Sequence, residues 1–206
     1  MITGKQLRIF EVFAKKPFAE YTRKDVKKES KEKSNNALAL AINRLKKEEV
    51  LIERKIGKSG LLTLNLENDL TIYYLALCNN NRIPHNIGLV LESLKKEISE
   101  DTPFYSMVIF GSYAGGGQTK DSDVDVAVFF DANEKRKKIE ALINSAKLKI
   151  DVEMDVHAIP RPEMIEMLAD KEENLGKQIA RKHLAVYNHG IFYEIIKEGM
   201  SHGFRA

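Results

Sequence analysis

The chain has 206 residues, 43% of them hydrophobic and 31% charged, and a formal net charge of +3. That composition excludes a disordered chain and suits one mid-sized domain or two small ones. No apolar run approaches the ~20 residues of a membrane-spanning helix, and the opening MITGKQLRIFEVF lacks the layout of a signal peptide. A cytoplasmic protein with no membrane partner is expected. Cys78 is the single cysteine, which excludes an internal disulfide, and no Cys/His cluster has zinc-ligand spacing.

Charge is unevenly distributed. Residues 1–70 hold 16 Lys and Arg against 10 Asp and Glu, whereas the remaining 136 hold 17 against 20. Two modules with different partners are implied, the first suited to a polyanion. In the first, Leu7, Phe10, Val12 and Phe13 predict a helix capped by Thr3 and stopped by Pro17. Thr22 opens a short helix through Val26 whose exposed face carries Lys24, Lys27 and Lys28, and the polar ESKEKSN is a turn. Ala37, Leu38, Ala41, Ile42 and Leu45 form the apolar stripe of a third helix. Strands are predicted over Val50–Ile56 and Leu61–Leu66, joined at Gly57–Gly60. Three short helices and a β-hairpin is the layout of a winged helix-turn-helix.

Residues 71–100 read as a helical linker broken around Asn79–Pro84. Beyond it, Tyr105–Phe110 is an apolar strand leading into the glycine-rich GSYAGGGQTKDSD, and Val124–Phe130 is a second strand. Asn133–Ala146 is a basic amphipathic helix. Lys149–Ile159 is a third strand with strict alternation, ended by Pro160 and Pro162, and helices are expected from Glu163 onward. His183, Tyr187 and His189 in this tail lie among an apolar stripe and read as helix packing.

The chemistry concentrates on two strands. Alternation along DSDVDVAVFF puts Asp123 and Asp125 on one face and Val124 and Val126 on the other. Along KIDVEMDVHAI, the residues Asp151, Glu153, Asp155 and His157 share a face. If these strands are neighbours, several carboxylates converge, and carboxylates side by side repel unless a cation lies between them. Hard oxygen donors suit Mg²⁺, which keeps several waters and binds substrate phosphates. The strand ending at Phe110 runs into Gly111 and Ser112, a small-residue turn at a helix start of the kind that accepts phosphate. A phosphate cradle beside paired carboxylates is the equipment of two-metal phosphoryl or nucleotidyl transfer.

Gly111-Ser112, ten residues, then Asp123-Val124-Asp125 resembles the signature of the DNA polymerase β-like nucleotidyltransferase superfamily. FGSYA…KDSDVDVAV is most similar to its minimal nucleotidyltransferases. The resemblance covers about residues 104–160, and the N-terminal part resembles winged helices fused to such domains. It implies an α+β chain: a winged helix-turn-helix at 1–70, the helical linker at 71–100, and at 101–206 a polymerase β-like palm domain with a mixed sheet and C-terminal helices. It further implies Asp123 and Asp125 as ligands of two Mg²⁺ ions, Asp155 in EMDVHAIP as the third metal-binding acid ahead of Asp151, and Gly111 and Ser112 holding the phosphates of an NTP, by preference ATP. One departure stands out: relatives usually carry an Arg three residues after the Ser, where this chain has Gly115. The Gly115–Gly117 run makes a poor helix and predicts a looser cradle.

The implied reaction moves a nucleoside monophosphate onto an acceptor hydroxyl and releases pyrophosphate. Minimal nucleotidyltransferases often act as antitoxins that add AMP to a tyrosine of a HEPN-type toxin. The toxin would be a separate protein, because Arg181 and His189 are too far apart for its Arg-to-His motif. An aminoglycoside-type acceptor is an alternative that leaves the winged helix without a role. An alternative of another class is a DNA-binding regulator whose transferase domain senses nucleotide or is inactive. In that case the helix from about Asn35 to Lys47 enters a major groove with Asn35, Asn36 and Arg44, while Arg54, Lys55 and Lys58 in the wing touch phosphates. The bland counterpart is a small packed domain for protein contact or homodimerisation.

Overall fold

The computed structural model describes residues 2–57, 59–119 and 122–205. Lys58, an expected DNA contact, and Asp121, the first residue of the DSDVDVAVFF stretch, lie outside them. The chain divides into two compact units, residues 1–79 and 80–206. No helix among the described residues is long and apolar enough to cross a membrane.

In the first unit, α1 (Gly4–Lys15) starts in a capping box. The Gln6 amide donates to Thr3 Oγ1 at 3.3 Å, and Thr3 N donates to Gln6 Oε1 at 2.9 Å. It buries Ile9, Phe10, Val12 and Phe13. Thr22 and Asp25 form a second capping box that opens α2 (Arg23–Ser30), and Ser34 caps α3 (Asn35–Lys47). Val26, Leu38, Ile42 and Leu45 complete the core these helices share. β2 (Leu51–Ile56) and β3 (Ser59–Leu64) are antiparallel, with Ile56 opposite Ser59 and Gly57 at φ +57° in the turn. The hairpin is tighter than the predicted Gly57–Gly60 turn. A strand absent from the sequence reading, β1 (Tyr21–Thr22), pairs with β3 and gives the sheet order β1-β3-β2. Two residues are too few for alternation to reveal. α4 (Asp69–Asn80) follows, with the Tyr74 ring edge-on to Phe10 at 5.6 Å.

The second unit is built on a four-stranded mixed sheet, order β6-β5-β4-β7. β4 (Tyr105–Ile109) is antiparallel to both β5 (Val124–Phe130) and β7 (Leu184–Tyr187), and β5 is parallel to β6 (Met154–Pro160). The β5–β6 crossover carries α7 (Arg136–Lys147). α5 (His85–Ser99) packs with α7, and Leu91, Leu94, Ile98, Ile139 and Ile143 meet Met107, Val126, Val128 and Phe130 from the sheet. On the opposite face, Phe129 meets Phe192 at 5.5 Å. Phe192 belongs to α10 (His189–Ser201), which packs with α8 (Arg161–Ala169). The fold is therefore mixed α/β with a mixed sheet.

Two expectations are corrected here. The third strand begins at Met154, not Lys149, and Ala158 to Pro160 are consecutively buried, because helices cover both faces and a doubly covered strand need not alternate. Glu153 O still accepts from Val124 N at 3.1 Å, so pairing starts at the strand's edge. The segment after Glu163 is not wholly helical. β7 interrupts it, arriving through α9 (Leu175–Arg181) and leaving through Asn188 at φ +44°. Four residues, Leu-Ala-Val-Tyr, are too short a run to be told from helix.

Candidate functional site

The site forms where β4 ends and β5 and β6 begin. Gly111 turns the chain out of β4 at φ +63° and opens the single-turn helix α6 (Gly111–Gly115). Phe110 N donates to Asp125 O at 3.0 Å, which holds this turn beside the start of β5. A Cβ on Gly111 would lie 2.8 Å from Asp125 Cγ and closer still to Oδ2. Glycine is thus required twice, for the backbone angle and for the carboxylate. α6 ends at Gly116, φ +70°, and Arg82 donates to the Ala114 carbonyl at 2.9 Å.

Asp125 and Asp155 are register partners on the parallel strands β5 and β6, so both side chains leave the same face of the sheet. Burial first, then the neighbouring Asp155 and Asp123, push the Asp125 carboxyl above its ordinary value, while the Ser112 backbone N–H donates to it and His157 acts in the other direction. The Ser112 amide is therefore aimed at Asp125 in addition to bordering the cleft. His157 is not merely a bystander, since its Nε2 lies 3.0 Å from Asp155 Oδ2, and its ring lies 5.7 Å from that of Phe110.

Asp123 lies just ahead of β5 and is exposed. Asp151 and Glu153 precede β6 and do not take Asp155's place beside Asp125. Among the described residues, no three His, Cys, Asp or Glu side chains stand close enough to form a ready-made metal group. The expected three-carboxylate cage is therefore not preformed; an adjacent acid pair with a third acid in electrostatic reach is. That donor set suits a hard divalent cation that takes one or two carboxylates and fills its shell with water and substrate phosphate.

A cleft of ≈ 570 Å³ opens against this corner. Phe110, Gly111, Ser112 and Asp125 form one side, and Glu173, Gln178, Arg181 and Lys182 the other. The second group was not legible in the sequence, because it reaches the site only through α9 and the pairing of Ile109 with Leu184. Lys182 reaches across α6: a Cβ on Gly115 would overlap its Cε and Nζ. The tail residues expected in helix packing are placed differently, with His183 between α9 and β7 and Tyr187 on β7, and only His189 opens a helix, α10. His183 is buried against Phe192 and Tyr193, and Tyr187 lies 4.8 Å from Tyr105.

In the first unit, the expected base- and phosphate-contacting residues are largely engaged already. Asn35 accepts from Lys27 at 2.6 Å, Arg44 pairs with Glu48 at 2.6 Å, and Arg54 pairs with Glu20 at 2.8 Å. Asn36 and Lys55 are exposed. A lysine-rich surface lies on α2 and the loop after it, where Lys24, Lys27, Lys28, Lys31 and Lys33 border one open face together with Asp25 and Glu32.

Residues 91–188 match the family model described as "Nucleotidyltransferase domain". They run from α5 through β7 and contain the whole carboxylate corner. Two curated proteins of Methanocaldococcus jannaschii are similar to part of the chain. "Putative protein adenylyltransferase MJ1379" is 38% identical over 69 residues, 31% of this chain and 69% of that protein. "Putative protein adenylyltransferase MJ1215" is 37% identical over 67 residues, 31% of this chain and 78% of that protein.

Proposed function

The chain belongs to the nucleotidyltransferase domain family and is a nucleotidyltransferase, and on that premise we propose that it transfers AMP from ATP to a hydroxyl on a protein acceptor. The observation that carries the reading is the pairing of Asp125 with Asp155 beside the Gly111–Ser112 turn, at the mouth of a cleft large enough for a nucleotide. Asp123, Asp125 and Asp155 would hold magnesium. When bound, that ion supplies charge neutralisation at the phosphates and a lowered pKa for the attacking hydroxyl. The chain's own residues do the rest. Gly111 and Ser112 hold the terminal phosphates, and Asp155, oriented by His157, accepts the acceptor's proton. The acceptor oxygen then bonds to the α-phosphorus as its bond to pyrophosphate breaks, and pyrophosphate leaves.

A protein acceptor is favoured over an aminoglycoside because both curated relatives are named for protein adenylylation. The resemblance to minimal nucleotidyltransferases narrows the acceptor to a tyrosine of a separate HEPN-type toxin. The first unit, with its three helices, hairpin and lysine face, is read as a winged helix that binds DNA through Lys24, Lys27, Lys28 and Lys33. The test is label transfer from α-labelled NTPs to candidate acceptors with Mg²⁺, alongside an Asp123→Ala/Asp125→Ala variant. ATP-dependent label on a protein tyrosine, lost in the variant, supports the reading. No label from any NTP, combined with tight salt-sensitive DNA binding, favours a regulator instead.

A further inference from the structure

We propose that Lys182 supplies the cationic contact to the polyphosphate of the bound nucleotide, its ammonium occupying the space that a side chain at position 115 would fill. The inference rests on reading the cleft as a nucleotide site. Lys182 follows the last residue of α9 as its C-cap, and its Cε and Nζ occupy the space into which a Cβ on Gly115 would project. Gly115, the last residue of α6, leaves that space to the lysine tip.

The charge distribution singles out this lysine. Of the two cations among the described residues that line the cleft, Arg181 is committed, holding both oxygens of Glu173 at 2.7 Å with its guanidinium 5.9 Å from the Phe204 ring centre. The Lys182 ammonium has no hydrogen-bond or ion-pair partner among the described residues. It borders the same cleft as Ser112 and Asp125. A compact, uncommitted ammonium beside a phosphate-sized space is a phosphate ligand by its chemistry. The carboxylates across the cleft would repel a bare triphosphate, which makes a protein cation on this wall useful.

Isothermal titration of the full chain with ATP, AMP and adenosine in Mg²⁺ tests the proposal by its dependence on phosphate number. Lys182→Ala is expected to weaken ATP binding by about tenfold or more while AMP and adenosine stay within about twofold. Lys182→Ala/Gly115→Arg is expected to recover most of the ATP affinity, because the arginine would rise into the vacated space. Lys182 is exposed, so its truncation should leave the melting temperature unchanged. Lys182→Met serves as a second variant that keeps the packing of the stem. Unchanged ATP affinity in both variants, or an equal loss for ATP, AMP and adenosine, overturns the assignment. Absence of ATP binding by the unsubstituted chain instead overturns the nucleotide reading of the cleft, a result that needs no variant to recognise.

Discussion

Gly111 and Asp125 are in contact so close that no other residue fits at position 111: a Cβ would lie 2.8 Å from the Asp125 Cγ, on a backbone at φ +63°. The turn and the carboxylate are one structural unit, built by the Phe110–Asp125 backbone bond and the Ser112 amide. Gly111→Ala should cost roughly 1–2 kcal/mol from the backbone angle alone. It should also cost at least about 100-fold in transfer activity, because Asp125 must swing away. Chemical denaturation and initial-rate assays on the same preparation check both numbers.

Asp125 is half-buried, with Asp155 beside it and Asp123 nearby. Functional carboxylates held together in this way cost stability when no cation is bound. Asp125→Asn keeps an oxygen for the Ser112 amide and removes the repulsion. It should therefore raise the metal-free melting temperature by about 2–4 °C, a gain on the order of 1 kcal/mol, while abolishing transfer. Added Mg²⁺ should raise the melting temperature of the unsubstituted chain and not that of Asp125→Asn. Equal responses to Mg²⁺ would remove the carboxylate pair as the ion's ligand.

Acid should weaken the second unit well above the range in which carboxylates titrate. Burial pushes His183 and His189 down to about 4 from an ordinary 6.5. Both stay neutral in the fold while the unfolded chain takes up protons below 6.5. Their contribution is therefore fully present above pH 6.5 and is lost as pH falls toward 4. For His183 the full loss is about 3 kcal/mol. Urea midpoints should fall between pH 7 and pH 5, and His183→Gln should flatten that slope whatever it does at pH 7. An unchanged midpoint between those pH values in the unsubstituted chain would falsify the buried-neutral assignment.

DNA binding by the first unit should weaken with salt at a log–log slope of ~0.9 per phosphate contacted. Lys24→Ala and Lys28→Ala should each reduce that slope by about one. Arg54→Ala should change it little, since Arg54 already faces Glu20 at 2.8 Å. A flat salt response in a mobility-shift titration would leave this face without a nucleic-acid role.

Much of the fold was legible because it rests on local rules. The Thr3 and Thr22 caps, the α3 stripe, the β2–β3 hairpin and the existence of β4 and β5 as strands all follow from short-range patterning. Asp123 and Asp125 could be found the same way, from alternation and from their spacing to Gly111-Ser112. The far wall of the cleft could not. Glu173, Gln178, Arg181 and Lys182 carry no motif and become neighbours of Ser112 only because β7, four residues long, adds to the edge of β4. Strict alternation misplaced the start of β6 because partly buried Ile150 and Val152 alternate with exposed Lys149, Asp151 and Glu153 in residues that lie ahead of the strand. Long-range pairing with a short strand leaves no periodic trace, and that is where the sequence was silent.

The most direct measurement of the central assignment is transfer of label from α-labelled ATP in Mg²⁺ by the intact chain, its Asp125→Asn variant and its Asp155→Asn variant, with protein acceptors present. Incorporation by the intact chain, with loss of at least about 100-fold in each variant and folding retained, is the expected result. Equal incorporation by all three chains would contradict a reaction centred on these two carboxylates.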